Sequence, residues 1–168
     1  MLDAGIDISG LKQMEQALQD ISKEIGAKKA TGIMTSAIRE GAVKYQQGMQ
    51  RNAPESELAR IVKTKSGQKV EIRPGFLKSR IKIRASTNRT GAETKRFGKG
   101  VVSLVKVGAF KVPYIVQVEY GTTRQKAQPF IRNSFKKRTN QVVVVINHRL
   151  AKRIQMAQRR IAKKNKAK

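Results

Sequence analysis

Residues 114–130, "YIVQVEYGTTRQKAQPF", pose the question on which the fold turns. A short apolar run carries a single acid, Glu119, and breaks at Gly121. It crosses a polar loop and restarts at Pro129-Phe130. The whole chain holds 37 Lys and Arg against 11 Asp and Glu, so an acid kept inside an apolar stretch calls for a specific partner. Locally the stretch reads as a turn that ends a strand and begins a helix, with Pro129 in the first helical turn, where its missing N–H costs nothing.

Downstream of that turn, Ile131, Phe135, Val142, Val145, Ile146, Leu150, Ile154, Ala157 and Ile161 keep helical spacing to the end of the chain. "QVVVVI" (141–146) is β-branched and locally favours a strand, but the longer period outweighs six residues of propensity. The terminal "KKNKAK" has nothing to bury and is expected to fray. Upstream, "VVSLVKVG" (101–108) reads as a strand buried on both sides. "KSRIKIRAS" (78–86) alternates as a half-buried strand with a basic outer face. The polar, Gly-rich stretch between them (87–100) reads as a long mobile loop. "RIVKTKSGQKVEIR" (60–73) reads as a small hairpin turning at Ser66-Gly67.

The N-terminal part reads as two helices. The first is capped by Ser9, carries Leu11, Met14, Leu18, Ile21 and Ile25 on one face, and stops at Gly26. The second carries Ala30, Ile33, Met34, Ala37, Ile38, Ala42, Tyr45 and Met49. Gly41 lies on that stripe and would let another element approach closely. "NAP" (52–54) ends it, because the residue before proline is pushed out of the helical region. The expected fold class is therefore α+β in one 168-residue domain: two N-terminal helices, a small antiparallel β-sheet and a long basic C-terminal helix. Residues 55–73 read as a hairpin insertion and the region from about 150 to 168 as a basic C-terminal extension.

Charge is distributed unevenly. Residues 1–60 hold 8 basic and 8 acidic residues, residues 61–120 hold 14 and 3, and residues 121–168 hold 15 and none. Such a field attracts polyanions: nucleic acid, an acidic protein surface or anionic lipid. The plainer alternative is a solubilising tail. The polyanion contacts expected at this end are Arg159, Arg160, Lys163, Lys164, Lys166 and Lys168. There is no Cys, which removes disulfides and thiolate metal sites and fits a reducing compartment. No apolar run reaches the length of a membrane span, and "MLDAGIDISG" lacks the regions of a secretion signal.

Enzymatic chemistry finds no foothold in this pattern. "RFGKGVV" lacks the spacing and hydroxyl of a phosphate-binding loop. His148 is the lone histidine, without a carboxylate nearby in sequence, and the acids are scattered rather than paired. The expectation is a non-enzyme with no catalytic residue, metal or cofactor. The few aromatic residues do not interleave with the basic run as a base-stacking platform would, so any DNA contact would be made through phosphates, without sequence reading.

Five stretches, in order, resemble the tail-component or tail-completion family of tailed-bacteriophage proteins. They are "IDISGLKQMEQALQDI" (6–21), "AIREGAVKYQQGMQRNAP" (37–54), "PGFLKSRI" (74–81), "VKVG" (105–108) and "YIVQVEYGTTRQKAQPFIRNSF" (114–135). The most specific residues are Glu119-Tyr120-Gly121-Thr122 followed by Pro129-Phe130-Ile131-Arg132. The resemblance covers about two-thirds of the chain. Two features depart from the family pattern: residues 55–73 interrupt the usual short step, and the C-terminal helix runs on with more basic charge.

The resemblance implies a virion protein made in the host cytoplasm, a structural part of the tail or neck. Its subunits would form a homo-oligomeric ring, usually a hexamer, between the tail tube protein and the head-side connector, with possible non-specific DNA contact and no membrane. In that setting Glu119 would fix an Arg or a backbone N–H, within the domain or across a subunit boundary. Gly121 would take a backbone angle closed to other residues, Thr122 and Thr123 would cap the loop, and Phe130 would anchor the helix. Glu119, Tyr120, Gly121, Thr122, Pro129, Phe130 and Arg132 are thus the candidate interface or turn residues. Two other readings stand beside this one: a sequence-independent nucleic-acid-binding protein, and a morphogenesis factor absent from the finished particle.

Overall fold

The computed structural model of the chain describes residues 8–55, 59–63, 66–86 and 103–166. In chain order its elements are α1 (Ile8–Ile25), α2 (Ala27–Asn52), β1 (Arg60–Lys63), β2 (Lys69–Ile72), α3 (Phe76–Arg80), β3 (Ile81–Ser86), β4 (Leu104–Ala109), α4 (Ile115–Tyr120) and α5 (Phe130–Lys166). The fold is α+β, with N-terminal helices, small two-stranded sheets and a long C-terminal helix. Residues 87–100, read from sequence as a mobile loop, lie outside the described residues, as do Val101 and Val102.

The packing gathers in two compact units. One draws on Met1–Gly41, Ala85–Val105 and Asn140–Lys168, the other on Ala42–Arg84 and Lys106–Thr139. In the first, α1, α2 and α5 bury Leu18, Ile21, Ala30, Ala37, Leu150, Ile154 and Ala157 together. The helical stripes of the sequence meet here because residues three and four apart share a face. Gly26, with a positive φ of 92°, separates α1 from α2, and its N–H donates to Ser22 O. α1 begins at Ile8, so Ser9 lies within its first turn.

In the second unit, Met49, Ala53, Ile72, Leu77, Ile81, Val112, Tyr114, Val118 and Phe130 form the core. β1 and β2 pair antiparallel, Arg60 opposite Ile72 and Lys63 opposite Lys69, around a turn in which Gly67 takes φ 79°. β3 pairs with β4, and Phe110 N–H donates to Arg80 O beside them.

Three further sequence expectations change in these elements. The alternating run 78–86 becomes a strand only at Ile81, because Phe76–Arg80 is a helical turn. Gly75 enters it in the left-handed region, Phe76 N–H donates to Arg73 O, and Leu77 and Ile81 are buried one turn apart. β4 is half-buried along most of its length rather than covered on both faces, and among the described residues it pairs with β3. Finally, α5 continues through Lys166 instead of fraying at Lys163. Its apolar stripe reaches Ile161, and cations in a last turn interact favourably with the helix dipole.

Gly41 does what its place on the stripe suggests. A Cβ there would overlap Ile146 Cγ1 and come within 3.3 Å of Val142 Cγ1, so α2 and α5 approach closely at this point. Two turns on, a Cβ on Gly48 would lie 2.5 Å from Arg138 Nε. Gly32, on the same helix, has nothing within 4 Å of that position. The contrast makes a matched test. Gly41→Ala is expected to destabilise the protein, because an overlap costing about 1–3 kcal/mol exceeds the helix-propensity gain of about 1 kcal/mol. Gly32→Ala receives the gain without the overlap and is expected to stabilise. Urea denaturation of both variants reads the sign directly; the same sign for both would remove the close approach as the reason for Gly41.

Candidate functional site

α4 is short because its ends are fixed. Ile115 N–H donates to Val112 O and Val118 N–H to Tyr114 O, while Gly121 N–H closes the other end on Gln117 O at 2.8 Å. The apolar run expected as the strand side of the turn is therefore helical. Its own spacing agrees: Tyr114, Val118 and Glu119 are buried, whereas Val116 and Tyr120 are 64% and 65% exposed.

Gly121 then turns the chain with φ 79° and ψ 179°, a region that is essentially glycine-only. A Cβ would stand 2.8 Å from Ala127 N and 3.0 Å from Gln125 O. Thr122 organises the following loop. Its Oγ1 accepts from Gln125 N at 3.0 Å and Arg124 N at 3.3 Å, and its backbone exchanges two hydrogen bonds with Gln125. Thr123 is exposed. Gln128 N–H donates to Val118 O at 2.8 Å and ties the returning chain to α4.

That return places Glu119 at the start of α5. The first N–H groups of a helix have no partner within it. Here Phe130 N–H donates to Gln128 O, Ile131 N–H to Glu119 Oε2 at 3.0 Å, Arg132 N–H to Glu119 Oε1 at 2.9 Å, and Asn133 N–H to Pro129 O. Pro129 brings no N–H of its own. Arg132 closes the arrangement from outside: its Nε donates to Glu119 Oε1 at 3.2 Å and its Nη2 to Glu119 O at 2.8 Å. The Arg132 guanidinium also lies 4.5 Å from the Tyr120 ring centroid. Phe130, 2% exposed, sits in the core directly beneath, and Ser134 Oγ donates to Phe130 O. Negative charge at a helix N-terminus and charge-assisted hydrogen bonds are both favourable, so this 4%-exposed carboxylate has its compensation in place.

The structure thus unites Glu119, Tyr120, Gly121, Thr122, Pro129, Phe130 and Arg132 in one helix-start lock. Glu119 holds both kinds of partner foreseen for it, Arg and backbone N–H, within the chain. Gln125 and Gln128 belong to the lock although sequence reading passed over them, since they act through backbone groups that any residue carries.

The basic end lies elsewhere. Arg159, Arg160, Lys163, Lys164 and Lys166 are exposed on the last turns of α5, His148 is exposed about three turns before them, and Lys168 lies outside the described residues. Glu40 was not singled out by sequence, yet it clamps this helix. Arg149 Nε meets its Oε2 at 2.7 Å and Arg153 Nη2 its Oε1 at 2.8 Å. The two arginines lie one turn apart on α5, and that spacing was the readable signal. Their acid, more than a hundred residues away, was not.

The Arg153 hydrogen bond holds the Glu40 carboxyl below its ordinary pKa. Partial burial opposes this, and the charges of Arg149, Arg153 and Lys152 add to it.

Compared with protein-family models, curated proteins and solved structures, the chain matches none.

Two outcomes follow from this geometry. Glu119→Gln leaves one acceptor oxygen for two backbone donors, introduces an N–H₂ group there and removes the charge facing Arg132. A loss of about 1–3 kcal/mol is expected in urea denaturation, and an unchanged midpoint would show the lock to be dispensable. Glu40 has a folded pKa below its unfolded one. Its contribution is therefore present above the unfolded carboxylate value of about 4.3 and lost as pH falls through the folded value. The stability difference between wild type and Glu40→Gln should be about 0.5–1 kcal/mol near neutrality and should vanish in acid. A difference that stays constant with pH would exclude the ion pair as its source.

Proposed function

We propose that the protein is a structural virion component of a tailed bacteriophage, assembling as a ring at the head–tail junction between the tail tube and the head-side connector. One observation carries the reading. The residues of the strongest family resemblance, Glu119-Tyr120-Gly121-Thr122 and Pro129-Phe130-Ile131-Arg132, are not scattered matches but parts of one lock, and nearly all have a distinct geometric task within it. A pattern with that much internal mechanism is a poor candidate for coincidence.

Further support comes from the surface. Val116 and Tyr120 expose apolar area beside the lock, and Val144 is 67% exposed on α5. Single exposed apolar residues are ordinary, but a row along α4 suits contact with a neighbouring subunit. The second reading, a sequence-independent polyanion-binding protein, draws on the exposed cations at the end of α5.

Light scattering and negative-stain electron microscopy of the purified protein, from low to molar salt, separate the two. The ring reading expects a closed oligomer that persists in high salt. Electrostatic nucleic-acid binding falls steeply with salt and requires no oligomer. A protein that stays monomeric at every concentration while binding DNA with that salt dependence would overturn the ring.

A further inference from the structure

We infer that the seam between the first half of α2 and the last turns of α5 is a docking groove for an acidic amphipathic helix of another protein. The groove encloses about 480 Å³. Its floor is apolar: Ala157 is buried, Ile33 and Ile161 are half-buried, and Met156 is 46% exposed. On the α2 side it is open at Gly32, where a Cβ would meet nothing within 4 Å. The walls are cationic. Lys29, Arg160 and Lys164 line it and are exposed, and none of them joins an ion pair among the described residues. Arg153 also borders the groove, but its charge is engaged by Glu40.

Charge complementarity selects the occupant. The chain carries +26 and has no acid after Glu119, so the C-terminal part of a second copy would repel these walls, and its residues 1–60, with 8 basic against 8 acidic residues, bring no net neutralisation. Nucleic acid would satisfy the walls and waste the floor. The groove has no aromatic ring on which a base could stack, and phosphates against Ile33 and Ile161 would be stripped of water without a donor in return. An amphipathic helix matches both features. Its apolar residues at three- and four-residue spacing enter the floor while its flanking carboxylates meet Lys29, Arg160 and Lys164. This holds whether or not the subunits close into a ring.

The probe is a fluorescein-labelled, helix-stapled peptide with Leu at positions i, i+3 and i+7 and Glu on both flanks, followed by anisotropy on the full chain. Saturable binding is expected, weakened but not abolished by salt, and lost when Leu is replaced by Ser with the charge retained. Gly32→Phe fills the groove without altering charge, and Met156→Glu places an acid on an exposed floor position. Each variant, checked for wild-type melting, is expected to weaken the peptide about tenfold or more. A duplex oligonucleotide should compete poorly at moderate salt. The inference fails if the Ser peptide binds as well as the Leu peptide. It also fails if the folded variants bind like wild type, or if the oligonucleotide displaces the peptide and binds the Gly32→Phe protein unchanged, because the seam would then be only a patch of positive charge.

Discussion

A buried carboxylate closing the N-terminus of a 37-residue helix is the constraint on which the rest of this structure hangs. α5 contributes Phe130 to one core and Leu150, Ile154 and Ala157 to the other. Within the core that holds Phe130, the residue at which α5 begins fixes which side chains of its first turns face inward, since a shift of one position rotates the apolar face by about 100°. Glu119 sets that starting point by accepting from the two N–H groups that follow Phe130. It reaches them because Gly121 reverses the chain where no other residue could, and because Gln128 is tied back to Val118. The cap, the turn and the core anchor act as one device.

The same economy governs charge. With so few acids, each buried or half-buried carboxylate has a defined place, and two of them restrain arginines of α5: Glu119 holds Arg132, and Glu40 holds Arg149 and Arg153. Both contacts lie on the helix flanks that meet the rest of the chain. The cations beyond them stay in water, where long side chains keep their heads solvated at little cost. A highly basic helix is thereby held at two places, near its start and near Arg149 and Arg153, while the cations of its last turns stay exposed.

The fold leaves Val116 and Tyr120 of α4 and the cations at the end of α5 exposed. Its polar groups are occupied in holding the chain in shape: the Thr122 hydroxyl in its loop, Ser134 on Phe130 O, and Glu119 on the start of α5.

Much of the architecture was legible in the sequence because it depends on local periodicity. The stripes of α1, α2 and α5, the stop at Gly26, the hairpin turn at Ser66-Gly67 and the close approach at Gly41 all follow from spacing and backbone chemistry within a few residues. That long period also decided correctly against the β-branched run 141–146. Where the reading erred, the deciding partners were distant. Ile115–Tyr120 is helical because both of its ends are fixed by turns and its inner face enters a core assembled from α2, β2 and α5, and β4 is half-buried because the cover a strand receives depends on what the fold lays against its faces. Sequence alone could say that Glu119 must have a partner, since a charge in an apolar run is costly without one. Only the tertiary fold could say that the partner is the start of α5, or that Glu40 waits for two arginines on that same helix, because hydrogen bonds and ion pairs are made by whatever the folded chain brings within reach and leave no periodic trace along it.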